Sequence, residues 1–121
     1  MDEGVKHLIE NNALALSSVD GEGRPHNIAV VCCKVVNDKI VISNSHIHET
    51  IKNLEINKNV SLAVWHKDWE DVSIGFEIKG IADNFTNGEW LDFVKKLPDN
   101  DGYDIKSAII VTVVSVKKLL S

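Results

Sequence analysis

IVISNSHIHETIKNLEINKNVSLAVW, residues 40–65, is the stretch from which the fold is predicted. Both of its ends are apolar runs rich in β-branched residues, which is typical of strands. Between them Ile47, Ile51 and Leu54 recur at helical spacing and form one stripe of a short helix. The stretch therefore predicts a strand, a polar loop, a helix and a second strand.

The loop that opens the predicted helix is polar, because Asn44, Ser45 and His46 precede the apolar stripe. Backbone N–H groups at a helix start have no intrahelical partner and carry partial positive charge, which suits a phosphate or a carboxylate. We therefore expect an anionic cofactor to dock at this loop. The same order of elements is also compatible with a plain connecting helix.

The composition is that of an ordinary globular protein. The 121 residues, 44% hydrophobic and 26% charged, predict a single domain over 1–121. A net charge of −5 argues against a large nucleic-acid interface or an anionic membrane surface, because both favour clustered Lys and Arg. No apolar run reaches the ~20 residues of a membrane helix, and the acidic start lacks the features of a signal peptide. We expect a cytoplasmic protein.

Turn residues divide the rest of the chain into further strands and helices. Residues 20–25 predict a hairpin, and Gly80 within a strand pattern indicates a bulge or a close backbone approach. About six strands with a few short α-helices predict a mainly β fold, an antiparallel barrel that is closed or nearly closed. The predicted strands cover residues 13–19, 26–36, 39–43, 60–65, 72–81 and 108–116, and the further helices cover 2–10 and 89–97.

Two pairs of residues have side chains that could bind a metal or undergo redox chemistry. Cys32 and Cys33 are adjacent, so in a strand their side chains point to opposite faces. We expect two reduced thiols that act as small apolar residues, and a redox pair is the alternative. His46 and His48 form an HxH pair, but no carboxylate or thiol clearly joins them. No metal site is predicted.

Several short motifs in a fixed order make the chain resemble a known family. The motifs are Gly23-Arg24-Pro25-His26 at the hairpin, His48-Glu49-Thr50-x-x-Asn53-Leu54-x-x-Asn57 between two strands, and Lys79-Gly80-x-Ala82 before the last apolar strand. In this order they resemble the FMN-binding split-barrel family typified by pyridoxamine 5′-phosphate oxidase, and most of all its small single-domain members. The resemblance covers nearly the whole chain and implies a dimeric, six-stranded antiparallel split β-barrel of Greek-key type.

The resemblance also implies a homodimer that binds two FMN molecules at the subunit interface. The flavin ring would lie against the second strand, the ribityl chain and phosphate near the polar loop and helix start, and an aromatic residue beside the flavin. The cofactor-binding residues implied by position are Ala29, Val30 and Val31 for the ring, Ser43, Asn44 and Ser45 for the ribityl chain and phosphate, His48, Glu49, Thr50 and Asn53 for the phosphate, and Tyr103 beside the flavin.

One position departs from the family pattern, because relatives usually carry Lys or Arg where this chain has Glu49 or Thr50. A carboxylate directed at the phosphate would repel it, and charges 4 Å apart interact by about 4 kcal/mol at an effective dielectric of 20. Either Glu49 turns to solvent while Lys52, Arg24 or a residue across the dimer supplies the cation, or FMN affinity is low. A protonated His48 could also contribute.

The resemblance implies a small FMN-dependent oxidoreductase or electron carrier with a small-molecule redox partner or substrate. No catalytic side chain is predicted, since the flavin carries the redox chemistry in such proteins. True pyridoxamine-phosphate oxidases are longer and hold the substrate phosphate with a basic C-terminal segment, so that reaction is not expected. Two alternatives stay open: a non-catalytic binding module for flavin, haem or deazaflavin, and a dimeric relative that has lost its cofactor.

Overall fold

The fold is described from a computed structural model that covers residues 1–32 and 34–120. Within these residues the chain forms three α-helices, seven strands and one turn of 3-10 helix at Pro98–Asn100. The elements in chain order are α1 (Glu3–Asn11), β1 (Ala13–Val19), β2 (Pro25–Val31), β3 (Lys34–Val36), β4 (Lys39–Asn44), α2 (Glu49–Ile56), β5 (Asn59–Trp65), β6 (Gly75–Phe85), α3 (Glu89–Lys96) and β7 (Ser107–Lys118).

The strands form one antiparallel sheet in the order β2-β1-β5-β6-β7-β4-β3. Its two edge strands, β2 and β3, are therefore consecutive in the chain. Val31 ends β2 and Lys34 begins β3, and three residue steps span at most about 11 Å. The sheet must consequently roll until its edges approach each other, which produces the expected barrel.

The prediction of six strands with one continuous strand over 26–36 is wrong for the described residues, which contain seven. β2 pairs with β1 and β3 pairs with β4, so the run divides between the two edges of the sheet. The apolar run looked continuous because it is apolar on both faces, yet Ala29 and Val31 are exposed while Val30 is buried. Cys32 is buried, and its thiol Sγ donates to the carbonyl of Lys34 at 3.2 Å. The expectation for Cys33 lies outside the described residues.

Alternation along β1 and β5 fills the barrel interior. Leu14 and Leu16 of β1 face Leu62 and Val64 of β5, and all four are at most 1% exposed. The intervening residues, such as Ala15, point outward. Helices α1 and α2 add their apolar residues to the same interior cluster, through Val5, Leu8, Ile9 and Leu54.

Helix α3 packs outside the barrel, on β4 and β7. Its Leu91 and Val94 form a second cluster with Val41 and Ile110. The first half of β7 is therefore buried on both faces. Beyond Val111 no described element covers the outer face, and Val114 is exposed.

Gly80 confirms the expected irregularity in β6. The register between β6 and β7 shifts between Lys79 and Gly80, and a Cβ on Gly80 would lie 2.6 Å from the carbonyl oxygen of Thr112. Any larger residue would push the two strands apart. None of the helices within the described residues is long and apolar enough to cross a membrane.

Candidate functional site

A cleft of about 450 Å³ lies where hydrogen bonds do not close the sheet. β3 pairs with β4 only as far as Val41, so Ile42–Asn44 has no strand on that side among the described residues. The outer edge of β2 is likewise without a described partner strand. The cleft between these two edges is called the strand cleft, and it is lined by Ala29, Val30, Val31, Cys32, Ile42, Ser43, Ser45, His46, Ile47, Asp99, Asn100, Tyr103 and Ile105.

The walls of the strand cleft combine apolar surface with main-chain polar groups. Val31 and Tyr103 line it, and they remain 67% and 65% exposed. A strand edge also presents N–H and C=O groups that would otherwise pair with a neighbouring strand. Apolar walls with a few polar groups at the margin suit a flat aromatic ligand that has polar atoms on its rim.

Asn100 connects the strand cleft to α3. The hydroxyl of Ser43 donates to Oδ1 of Asn100 at 3.2 Å, and Nδ2 of Asn100 donates to the carbonyl of Val94 at 2.7 Å. Asn100 is buried, so these bonds fix one side of the cleft to the end of α3. The segment that carries Tyr103 follows directly after this anchor.

A second cavity of about 420 Å³ adjoins the strand cleft at the start of α2. It shares Ala29, His46 and Ile47 with the strand cleft, so the two form one groove that runs from the edge of β2 to the helix. This second cavity is called the helix pocket. Its lining residues are His26, Ile28, Ala29, His46, Ile47, His48, Glu49 and Thr50.

The start of α2 has polar groups without partners. His48 occupies the N-cap position but makes no side-chain capping bond, so the first N–H groups of the helix stay available. Thr50 is only 1% exposed, and its Oγ1 has no hydrogen-bond partner among the described residues. An unsatisfied buried hydroxyl costs about 1–3 kcal/mol. Both features suit a ligand that brings anionic oxygens to the helix start.

Among the described residues that line the helix pocket there is no lysine or arginine. Arg24 lies in the β1–β2 turn, where its guanidinium pairs with Glu22 at 2.7 Å and Asp20 at 3.4 Å. Glu49 is exposed at the pocket rim and pairs with Lys52 at 3.8 Å. Within the described lining, the ionisable residues are three histidines and Glu49. The departure from the family pattern noted in the sequence is therefore present in the structure.

The structure brings most of the predicted cofactor residues into this groove. The strand cleft is lined by Ala29, Val30, Val31, Ser43, Ser45 and Tyr103, and the helix pocket by Ala29, His48, Glu49 and Thr50.

Two predicted residues, Asn44 and Asn53, line neither cavity and are buried instead. Nδ2 of Asn44 donates to the Ser107 hydroxyl at 2.8 Å, and its Oδ1 accepts from the Ile47 N–H at 2.7 Å. Nδ2 of Asn53 donates to the hydroxyl of Ser18 at 3.0 Å. These bonds hold the loop and α2 in place, so both asparagines position the groove without lining it.

Several residues that line the groove were not predicted from the sequence. Asp99, Asn100 and Ile105 reach the strand cleft from the segment after α3, because β4 pairs with β7 and the Lys106 N–H donates to the carbonyl of Asn44 at 2.8 Å. A contact between segments that lie so far apart in the chain leaves no local sequence pattern. Ile42 could have been predicted, since it lies in the apolar strand β4 directly before the predicted site residue Ser43.

Within residues 1–32 and 34–120, no three His, Cys, Asp or Glu side chains come together in a group that could hold a metal ion. His46 and His48 instead line the helix pocket.

Known structures share this fold over almost the whole chain. HupZ of Group A Streptococcus is 20% identical, with a TM-score of 0.88 over 100% of this chain and 95% of its own. A pyridoxamine 5′-phosphate oxidase-like protein from Lactobacillus delbrueckii is 14% identical, with a TM-score of 0.80 over 97% and 93%. An FMN-binding protein from Syntrophomonas wolfei is 19% identical, with a TM-score of 0.80 over 97% and 84%.

Proteins named for other ligands have the same fold. An F420 reductase gives a TM-score of 0.74 at 18% identity, covering 97% of this chain and 98% of its own. HutZ, the haem storage protein of Vibrio cholerae, gives a TM-score of 0.72 at 16% identity, covering 97% of this chain and 93% of its own. Family models and curated protein sequences give no match. The chain therefore has the fold of the FMN-binding split-barrel proteins, whose structures include flavin-, F420- and haem-related examples.

Proposed function

We propose that this protein is a homodimeric FMN-binding flavoprotein, a small oxidoreductase or electron carrier that holds FMN without a covalent bond. The observation that carries the proposal is the hydroxyl of Thr50, buried and without a partner among the described residues, at the start of α2. That hydroxyl lies where an apolar cleft and a helix N-terminus meet. A ligand with a flat ring at one end and a phosphate at the other matches this arrangement.

The two cavities of the groove would bind different parts of FMN. Apolar side chains of β2 and Tyr103 would pack against the ring, and the unpaired main-chain groups of the strand edges would meet its polar rim. Thr50 and the first N–H groups of α2 would hold the phosphate. Bound FMN supplies electron-transfer chemistry, while the protein binds and orients it and limits the access of water.

The outer face of the sheet supports assembly with a second copy. Along β1, β2 and β5 this face carries small or uncharged side chains, and Ala15 lies between Ala29 and Ala63 in the paired strands. A contiguous uncharged surface on a small protein favours an interface with a partner. The outward residues are Ala13, Ala15, Ser17 and Val19 of β1, Pro25, Asn27, Ala29 and Val31 of β2, and Asn59, Ser61, Ala63 and Trp65 of β5.

Ala29 makes that surface continuous with the site. It lines the strand cleft, the helix pocket and a shallow depression that also contains Trp65. A second copy seated on the face would consequently border the groove and shield a bound ligand from solvent. The two-fold arrangement of such a dimer would place a groove at each end of the interface.

The decisive experiment is the optical spectrum and mass analysis of whatever small molecule purifies with the protein, followed by titration of the apoprotein with FMN. Val31→Glu in the strand cleft should weaken FMN binding at least tenfold, since it would put a charge against the ring (about 1.4 kcal/mol or more). Ile56→Glu is the matched control, because Ile56 is equally exposed and lines neither cavity.

Two results would contradict the proposal. Absence of any flavin after purification, together with no FMN binding by the apoprotein, would favour a dimeric relative that has lost its cofactor. Equal weakening by Val31→Glu and Ile56→Glu would remove the strand cleft as the site. Oxidation of a reduced nicotinamide by the FMN-loaded protein would favour an enzyme, and lack of turnover with rapid flavin reduction by a chemical donor would favour a carrier.

A second candidate function is a storage module for haem. It is favoured by His46, which is exposed and lines both cavities, because imidazole is a common axial ligand of haem iron. The fold likeness to HutZ, a haem storage protein, points the same way. Titration with haemin should then give a Soret band that shifts on ligation and is lost in His46→Ala, whereas an unchanged band in that variant would exclude His46 as a ligand.

A further inference from the structure

A further cavity lies between α2 and the end of β6. It has a volume of about 460 Å³ and is bounded by these two elements and by the residues that follow each of them. It shares no lining residue with the strand cleft or the helix pocket. This cavity is called the α2–β6 pocket, and it is lined by Ile51, Leu54, Glu55, Lys58, Ala82, Asp83, Asn84, Phe85 and Thr86.

The walls of the α2–β6 pocket are largely apolar and are held in place by the core. Leu54 and Ala82 are buried in the interior cluster, and Ile51 packs against that cluster. Phe85 packs against the second cluster. The N–H of Ala82 donates to the carbonyl of Lys58 at 2.8 Å, so the chain after α2 is fixed to β6. A ligand would therefore meet a preformed apolar surface.

Asn84 is a polar residue at an inward position of β6. Side chains alternate along a strand, so Asn84 points to the same face as Ala82, and in the sheet it lies opposite Ile109. Both of these neighbours are 0% exposed and belong to the interior cluster. The Oδ1 of Asn84 is itself buried and has no hydrogen-bond partner among the described residues. A buried acceptor without a partner weakens the folded state, and a ligand that donates a hydrogen bond to it removes that cost.

The charges at the rim of the pocket favour a neutral ligand. The Nζ of Lys58 lies 2.6 Å from Oδ1 of Asp83, so these two charges compensate each other. Glu55 is exposed, and its carboxylate would repel an anion. Its attraction for a cation would be weak, because an exposed carboxylate is screened by water and salt.

We propose that the α2–β6 pocket binds a small neutral molecule with an apolar body and a carboxamide-type edge, in which an N–H donor lies next to a carbonyl acceptor. The side-chain amide of Asn84 has an acceptor and a donor in the same relation, so the two edges pair through two hydrogen bonds. The terminal torsion of asparagine is broad, which lets the amide turn both atoms toward the ligand. The apolar body packs against Ile51, Leu54 and Phe85.

This site is independent of the flavin proposal, because the two sites have no lining residue in common. The test follows the backbone N–H signals of the full chain by NMR during titration with benzamide. Acetophenone is the matched control ligand, because it has the same shape and carbonyl group but a methyl group in place of the amino group. The variants are Asn84→Leu and Asn87→Leu, and the second makes the same change at an exposed position outside the pocket.

Benzamide should shift the signals of residues 51–58 and 82–86 in a saturable way. Acetophenone should bind roughly tenfold more weakly, because it donates no hydrogen bond. Asn84→Leu should weaken benzamide binding by about tenfold or more and abolish its advantage over acetophenone, whereas Asn87→Leu should reproduce the unchanged chain. If Asn84→Leu does not fold, the comparison of the two ligands on the unchanged chain decides.

Absence of saturable shifts at residues 51–58 and 82–86 up to the solubility limit of benzamide would overturn the proposal. Equal affinity for benzamide and acetophenone would also overturn it, as would benzamide binding by a folded Asn84→Leu equal to that of the unchanged chain. Shifts confined to residues 29–31 and Tyr103 would assign the probe to the strand cleft and exclude the α2–β6 pocket. Titration with FMN is a separate measurement, and its failure would bear only on the flavin proposal.

Discussion

The two faces of the same strands, β1 and β5, are built on different rules. The inward face carries large aliphatic residues such as Leu16 and Leu62, which are almost completely buried. The outward face carries alanine, serine and asparagine, and it leads through Ala29 into the groove. The inward face fills the barrel with side-chain volume, which decides whether the barrel folds. The outward face is uncharged on these two strands, which matters for what the barrel contacts.

The largest effect is expected on the inward face. Leu62→Ala should lower the free energy of unfolding by about 2–5 kcal/mol, because it leaves a cavity in a closely packed interior. Urea denaturation followed by tryptophan fluorescence measures the loss. Ile56→Ala on the exposed side of α2 is the control and should change stability by no more than about 0.5 kcal/mol. A loss below 1 kcal/mol for Leu62→Ala would mean that the interior is not tightly packed.

A substitution on the outward face should change the assembly of the proposed dimer rather than the folding of the chain. Ala15→Arg should weaken the proposed dimer roughly a hundredfold or more, since its cross-strand neighbours are alanines and burying an unpaired charge costs several kcal/mol. Sedimentation velocity measures the change in mass, and circular dichroism verifies that the strands persist. Thr86→Arg, in the exposed turn before α3, is the control. A dimer that survives Ala15→Arg would place the interface on another surface.

A smaller effect is expected where the outward face reaches the helix pocket. Thr50→Val keeps the shape of the side chain and removes a hydroxyl that has no partner among the described residues. FMN binding should weaken roughly ten- to a hundredfold, as expected for one hydrogen bond of about 1.5–3 kcal/mol to a charged group, while riboflavin binding stays unchanged. Stability should stay level or rise, because no protein partner loses a bond. Equal FMN affinity in Thr50→Val and the exposed control Thr86→Val would remove Thr50 from the site.

The smallest effect is expected at the turn that joins β1 to β2, where neither face of the sheet is involved. The backbone N–H of Arg24, followed by that of Glu22, donates to Asp20 and lowers the pKa of its carboxyl below the ordinary value. A lowered pKa contributes stability above the ordinary pKa, and this contribution is lost as pH falls through the lowered value. Asp20→Asn keeps an oxygen acceptor and should slightly flatten the acid limb of a stability–pH profile. An unchanged limb would show that the turn contributes nothing measurable.

The parts of the fold with a strong local signal were predictable from the sequence. β1 spans Ala13–Val19 as predicted, since leucines alternate with small residues and a turn signal follows. The end of β6 was missed, because Asp83–Phe85 pairs with β7 and a partner more than twenty residues away leaves no local pattern. The residues 72–74 were wrongly included at its start, since they belong to a loop closed by the His66 N–H and the carbonyl of Ile74.

The site was predictable where the chain is contiguous and not where the fold joins distant segments. Ser43, Ser45 and Thr50 were identified because a strand, loop and helix start follow each other directly. The apolar run of β2 does not by itself distinguish a core face from a ligand face, since both a core and a ligand favour apolar side chains. Val31 shows the difference: it is apolar, yet in the isolated chain it is open to solvent.

The gap between β2 and β4 also has a practical consequence for handling the protein. Two strand edges face each other across the strand cleft without a described strand between them, and exposed edges are templates for pairing with other chains. A ligand bound in the strand cleft would cover both edges and prevent such pairing. Apoprotein kept at high concentration should therefore precipitate sooner than the loaded form, and cofactor added during refolding should raise the yield.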